Sequence, residues 1–145
     1  MESRLIAELG VEIGETIAKH PGITGYKAVA KIDGTQWTVW TANKKAQGRL
    51  SKWQKAVSGL GPAMQASVRA SESPGGFSVG LRVNQGEALD NVLCNKPFDL
   101  CSSIYMAYQL IAAIERLSNQ GFALTSASFE NIRVSISESR VPSLF

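Results

Sequence analysis

Acidic residues are missing from Gly34 to Ser71, about a quarter of this 145-residue chain. The same span holds Lys44, Lys45, Arg49, Lys52, Lys55, Arg69 and all three tryptophans. Since the formal net charge is +3, taking away those six cations leaves the rest of the chain at −3. Segregation of charge inside a small protein points to an anionic partner more directly than overall pI does.

Other scarcities narrow the chemistry. One histidine and two cysteines, Cys94 and Cys101 in C-x6-C spacing, do not make a zinc set, and no cofactor or metal is expected. The start, Met1-Glu2-Ser3-Arg4, lacks the basic and then apolar pattern of a secretory signal. The expectation is therefore a cytoplasmic protein with free thiols, its cysteines packing as small hydrophobes. The most apolar stretch, Ile104 to Ile114, contains Gln109 and is too short to span a bilayer, so no membrane partner is expected.

What is present fits one folded domain over residues 1–145. A hydrophobic share of 44% against 19% charged residues supports a real core and argues against wholesale disorder. Leu5, Ile6, Leu9, Ile13 and Ile17 fall at helical spacing, which predicts an amphipathic helix over 2–19 ended by His20-Pro21-Gly22. Asp33-Gly34 lies between two alternating runs and predicts a two-residue hairpin turn. That register pairs Ala30 with Trp37, Ala28 with Val39 and Tyr26 with Thr41 on an apolar face. The opposite face carries Lys27, Lys31, Thr38 and Trp40.

A second helix is expected over 44–58. Its five basic side chains share an arc of about 140°, while Ala46, Leu50, Trp53 and Val57 form a core arc of about 60°. A second hairpin follows, with Met64 to Ala70 alternating against Phe77 to Val83 across the loop at 72–76. Residues 86–96 are ambiguous, with a short helix around Ala88 to Leu93. A long helix runs from Asp99 as N-cap to Asn119, with Gly121 near its C-cap, and is apolar nearly all round. A final strand is expected near 131–137.

Together these elements describe an α+β fold. An antiparallel sheet of about five strands, two hairpins plus the C-terminal strand, has helices packed on one face and solvent on the other. The solvated face would display Lys27, Lys31, Trp40, Arg69, Arg82 and Arg133.

Lysine and arginine neutralise phosphates, and an exposed aromatic gives an unpaired base a surface to stack on. Trp37 and Trp53 lie on core faces, so Trp40 is the stacking candidate. The match of Gly76-Phe77-Ser78-Val79-Gly80 to G-x-S-x-G is accidental: a nucleophile elbow needs a strand-to-helix turn with histidine after serine, and His20 precedes it. Glu8, Glu12 and Glu15 read as a solvated helix face.

Pro21-Gly22-Ile23-Thr24-Gly25 leading to Asp33-Gly34, with a helix before it, resembles the opening of roadblock or profilin-like modules. That resemblance implies a protein-binding platform or a dimer. The residues themselves point to a non-enzymatic binding module for an anionic partner, nucleic acid first. The alternative is a protein-interaction or oligomerisation module, a homodimer included, that meets an acidic protein surface through the same face.

Overall fold

The computed structural model describes residues 4–83, 86–95, 98–123, 133–136 and 142–144. The class is α+β, with a five-stranded antiparallel sheet and several helices. Two compact units divide the chain, Met1–Val83 and Asn84–Phe145.

The first unit opens differently from expectation. A short helix α1 (Arg4–Leu9) stops at Gly10, whose φ of +60° lies in the left-handed region. A strand β1 (Val11–His20) then takes the place of the second half of the expected helix. Its β-branched Val11, Ile13, Thr16 and Ile17 suit a pleated backbone. Pairing with β2 (Ile23–Ala30) shifts register between Ile13 and Thr16 and again between Thr16 and Ala18. Pro21-Gly22 closes this hairpin, with Gly22 at φ +77° as a type II turn requires. The element before that turn is thus a strand, unlike the helix of the roadblock-like opening.

β2 pairs with β3 (Gln36–Asn43), but two residues out from the expected register: Ala28 faces Trp37 and Tyr26 faces Val39. A shift of two keeps every side chain on its face. The cause is a longer loop, in which Ala30 and Thr35 bond through their backbones and the Asp33 carboxylate accepts from the Thr35 amide at 2.9 Å. Asp33-Gly34 is therefore an Asx-type corner within a wider loop.

Helix α2 (Gln47–Ser58) and helix α3 (Pro62–Ser67) follow. Met64 and Ala66, expected in a strand, belong to α3, which begins at proline in the first helical position. β4 (Val68–Ser73) and β5 (Gly76–Arg82) form a tight hairpin, and the sheet order is β1-β2-β3-β5-β4. Gly76, at φ +148°, is obligatory, because a Cβ there would stand 1.9 Å from the Ala42 carbonyl oxygen of β3.

Both faces of this sheet are covered. On one, Val11, Ala28 and Val39 pack with Ile6, Leu9 and Trp37, so α1 lies over them. On the other, Ala42, Val68 and Val79 pack with Leu50 and Val57 of α2, joined by Trp40, Trp53, Phe77 and Leu81. The face of β2 and β3 expected to be solvated thus joins the expected apolar face of β4 and β5 in the larger cluster.

The second unit contains β6 (Glu87–Ala88), α4 (Leu89–Asn95), α5 (Leu100–Asn119), β7 (Arg133–Ile136) and β8 (Pro142–Leu144). The strands form a separate sheet, β6-β7-β8, around a cluster of Leu89, Met106 and Val134 with Phe98. The C-terminal strand therefore does not complete the large sheet; β1 does. Asn84, Asn131, Ile132 and Ser137, placed in strands by their alternation, lie outside the described residues.

Helix α5 begins and ends as its sequence dictates. The Asp99 carboxylate accepts from the Ser102 amide at 2.9 Å, a side-chain N-cap. At the other end Gly121 (φ +80°) lets Phe122 donate to the Leu117 carbonyl and Gly121 to that of Ser118, the paired bonds of a Schellman motif.

Candidate anion-binding surface

α2 owes its position to its apolar arc. Leu50, Ala56 and Val57 are buried, Trp53 is half-buried, and the rings of Trp53 and Trp40 meet at 6.4 Å with an interplanar angle of 55°. Asn43 leads the chain in, its side-chain oxygen accepting from the Ala46 amide at 3.0 Å. Gly59 closes the helix by donating to the Lys55 carbonyl at 3.1 Å.

With that arc fixed, the basic residues must face solvent. Lys44 and Lys45, in the turn before the helix, and Arg49, Lys52 and Lys55 within it are all exposed. At 1.5 Å rise per residue the row from Lys45 to Lys55 is about 15 Å long. The helix has no acidic residue in its first turn. Lys44, Lys45 and Arg49 instead crowd the end where the helix dipole is already positive, an arrangement that costs stability and concentrates positive potential. The ion pairs Arg4–Glu8 and Lys27–Glu15 lie on other elements, and Lys52 within the row has an interaction of its own.

The structure adds a contact that the sequence pattern does not reveal. The Arg49 guanidinium donates to the Pro21 carbonyl at 2.8 Å, tying the tip of the β1–β2 hairpin to the start of α2. His20, exposed and paired with Ile23 on the α2 side of the sheet, precedes the bonded proline. Lys19 is exposed at the same tip, one strand position away and on the other face. No local signal announces this contact, because it depends on where α2 docks.

The other expected site residues scatter. Trp40 is no solvent-facing platform: it packs in the α2-side cluster, over its cross-strand partner Gly25. Lys27 shares that face at the sheet's far side, and its ammonium is neutralised by Glu15. The Glu15 carboxyl is held below its ordinary range by the hydrogen bond and the charge of Lys27. Lys31 sits exposed in the β2–β3 loop.

Arg69 and Arg82 point to the α1 side, paired with Gly80 and Trp37. The Arg69 guanidinium donates to the carbonyls of Ala66 and Val68, both at 3.0 Å. Arg82 lines a groove with Asp33, whose carboxyl is lowered mainly by its hydrogen bonds to Thr35 and slightly by the Arg82 charge. Arg133 belongs to β7 in the other sheet. A single cationic sheet face therefore does not form, and the concentration of charge is on α2 and its approach.

Catalytic and metal-binding arrangements gain nothing from the geometry. Ser78 is buried inside β5, away from any elbow. Glu8 is on α1 with Arg4, whereas Glu12 and Glu15 are on β1, so the three glutamates share no helix face. Cys94 and Cys101 are free, as expected, but exposed rather than packed. Among the described residues, no three histidine, cysteine or carboxylate groups gather to hold a metal, and no helix is long and apolar enough to cross a membrane.

No protein-family model matches the chain, and no curated protein does. Solved structures resemble it. One is the crystal structure of Rad53 1-466 in complex with AMP-PNP, with TM-score 0.51 and 16% identity over 93% of this chain. The match covers 37% of that chain, so this protein spans little more than a third of its length. At that identity the likeness is one of fold alone.

Proposed function

We propose that the chain is a non-enzymatic binding module whose α2 surface engages an anionic partner, nucleic acid first. The observation that supports this reading is the row of Lys44, Lys45, Arg49, Lys52 and Lys55, all exposed, within a span that has no carboxylate. Solvated helix faces ordinarily mix signs, and a cation-only row at a helix start is retained against the dipole.

With Trp40 and Trp53 packed against each other, the surface reads phosphate charge rather than stacked bases. Sequence-independent contact with the backbone is the matching mode. The exposed free thiols Cys94 and Cys101 suit a reducing, cytoplasmic setting.

Fluorescence anisotropy with a labelled oligonucleotide, single-stranded and duplex, tests the proposal. If four to five cations engage, affinity should fall with a log–log salt slope of about −3.6 to −4.5 for the duplex and about −2.8 to −3.5 for the single strand. Lys45→Glu with Lys55→Glu should abolish binding at low salt, while Arg82→Gln should leave it unchanged. No binding of either oligonucleotide at low salt would overturn the nucleic-acid reading and leave an acidic protein surface as the partner to seek.

A further inference from the structure

The long helix α5 is apolar on two sides, and the structure covers only one. Met106 is buried with Leu89 and Val134, and Leu110, Ala113 and Leu117 on the same side are half-buried or nearly so. Across the helix, Leu100 is 74% exposed, Ile104 61%, Tyr108 69% and Ile111 64%. At 100° per residue these four, with Ala107 and Ile114, fall in an arc of about 120°. Among the described residues nothing lies over this stripe. We propose that it is a homodimer interface, in which α5 packs antiparallel against α5 of a second copy.

Three properties select a second copy as the occupant. From Leu100 to Ile114 the helix carries no charged residue, so self-contact brings no like charges together, and an acidic or basic partner would find nothing to pair with. Second, the stripe is complementary to itself about a two-fold axis between Ala107 and Tyr108. Antiparallel pairing there sets Ile104 against Ile111 and the small Ala107 against the large Tyr108, as interdigitating helices require. The same axis also opposes the two helix dipoles favourably.

Third, the area suffices. The exposed parts of the stripe equal about three fully exposed large side chains, on the order of 500 Å². With flanking residues this approaches the roughly 600 Å² per partner at the lower end of specific interfaces. A reversible dimer in the micromolar range fits such an area. The interface shares no residue with α2, so each copy would contribute one basic row.

Sedimentation velocity of the intact chain up to about 100 µM, where a micromolar dimer is mostly associated, reads the prediction directly. The wild type should sediment as a dimer. Ile104→Glu with Ile111→Glu should sediment as a monomer with unchanged far-ultraviolet circular dichroism. Should that variant fail to fold, Ala107→Cys in a Cys94→Ser, Cys101→Ser background decides: oxidation should trap a disulfide-linked dimer, because the two-fold brings residue 107 close to its own copy. A wild type that stays monomeric throughout, or a dimer that survives both glutamates and gives no cross-link at 107, overturns the proposal.

Discussion

The indole of Trp40 occupies the space that a side chain on Gly25 would need. The two residues are cross-strand partners on β3 and β2, and a Cβ on Gly25 would stand 2.6 Å from Cζ3 of the ring. The contact partner is a rigid aromatic wedged against Trp53, so it cannot yield as the end of a lysine would. Gly25→Ala should therefore lower stability by about 1–3 kcal/mol, the range for overpacking a fitted site. A denaturant midpoint unchanged from wild type would show that the ring can move aside.

Trp40 itself separates packing from recognition. Its half-buried ring joins β3 to α2, and Trp40→Ala should cost about 2–4 kcal/mol, somewhat less than truncating a wholly buried tryptophan. Below its unfolding transition the variant should bind oligonucleotide as the wild type does. Weakened binding by folded Trp40→Ala would restore the tryptophan to the recognition surface.

Gly48 offers a change in the opposite direction. It lies exposed inside α2, and a Cβ at that position would meet nothing within 4 Å, so alanine brings helix propensity without a clash. Gly48→Ala should raise stability by about 0.5–1 kcal/mol. Thermal melts would check this, and binding should be untouched because no cation moves.

Acid should loosen α5 from its start. The Asp99 carboxyl is held below its ordinary range, first by the Ser102 amide and then by the Ser102 hydroxyl. A carboxyl whose folded pKa is depressed supplies its stabilisation in full above its unfolded value, near 3.9, and loses it as pH falls through the lowered folded value. Asp99→Asn should accordingly flatten the acid limb of a stability–pH profile, with the neutral plateau slightly lowered. An acid limb as steep as that of the wild type would assign the loss to other carboxylates, Glu15 and Asp33 first.

Much of this fold is legible where a local rule has no competitor. Asp99 and Gly121 mark both ends of α5, and the apolar arc of α2 is the one that meets the sheet. The first twenty residues mislead because Leu5, Leu9, Ile13 and Ile17 satisfy the helical period, while Val11, Ile13 and Ile17 also fit alternation. Gly10 settles that conflict, since its left-handed backbone ends one element and starts another. The sheet faces mislead for another reason. Alternation separates apolar from polar sides, but Trp40 and Ala42 are outnumbered by polar neighbours, and only the docking of α2 turns their side inward. For the candidate site, charge segregation along the chain locates the α2 row, whereas the join of Arg49 to the Pro21 carbonyl is a tertiary fact with no local trace.

The two register shifts in β1 have a bearing on growth of the sheet. Among the described residues β1 is an edge strand, with one side of its backbone paired to β2 and no strand beyond it in the sheet order. An added strand needs donors and acceptors in regular step, and irregularities between Ile13 and Ala18 break that step in the middle of the edge. Strand addition is thereby discouraged at this margin, and β4, which pairs with β5 in unbroken register, is left as the edge whose backbone keeps a regular step.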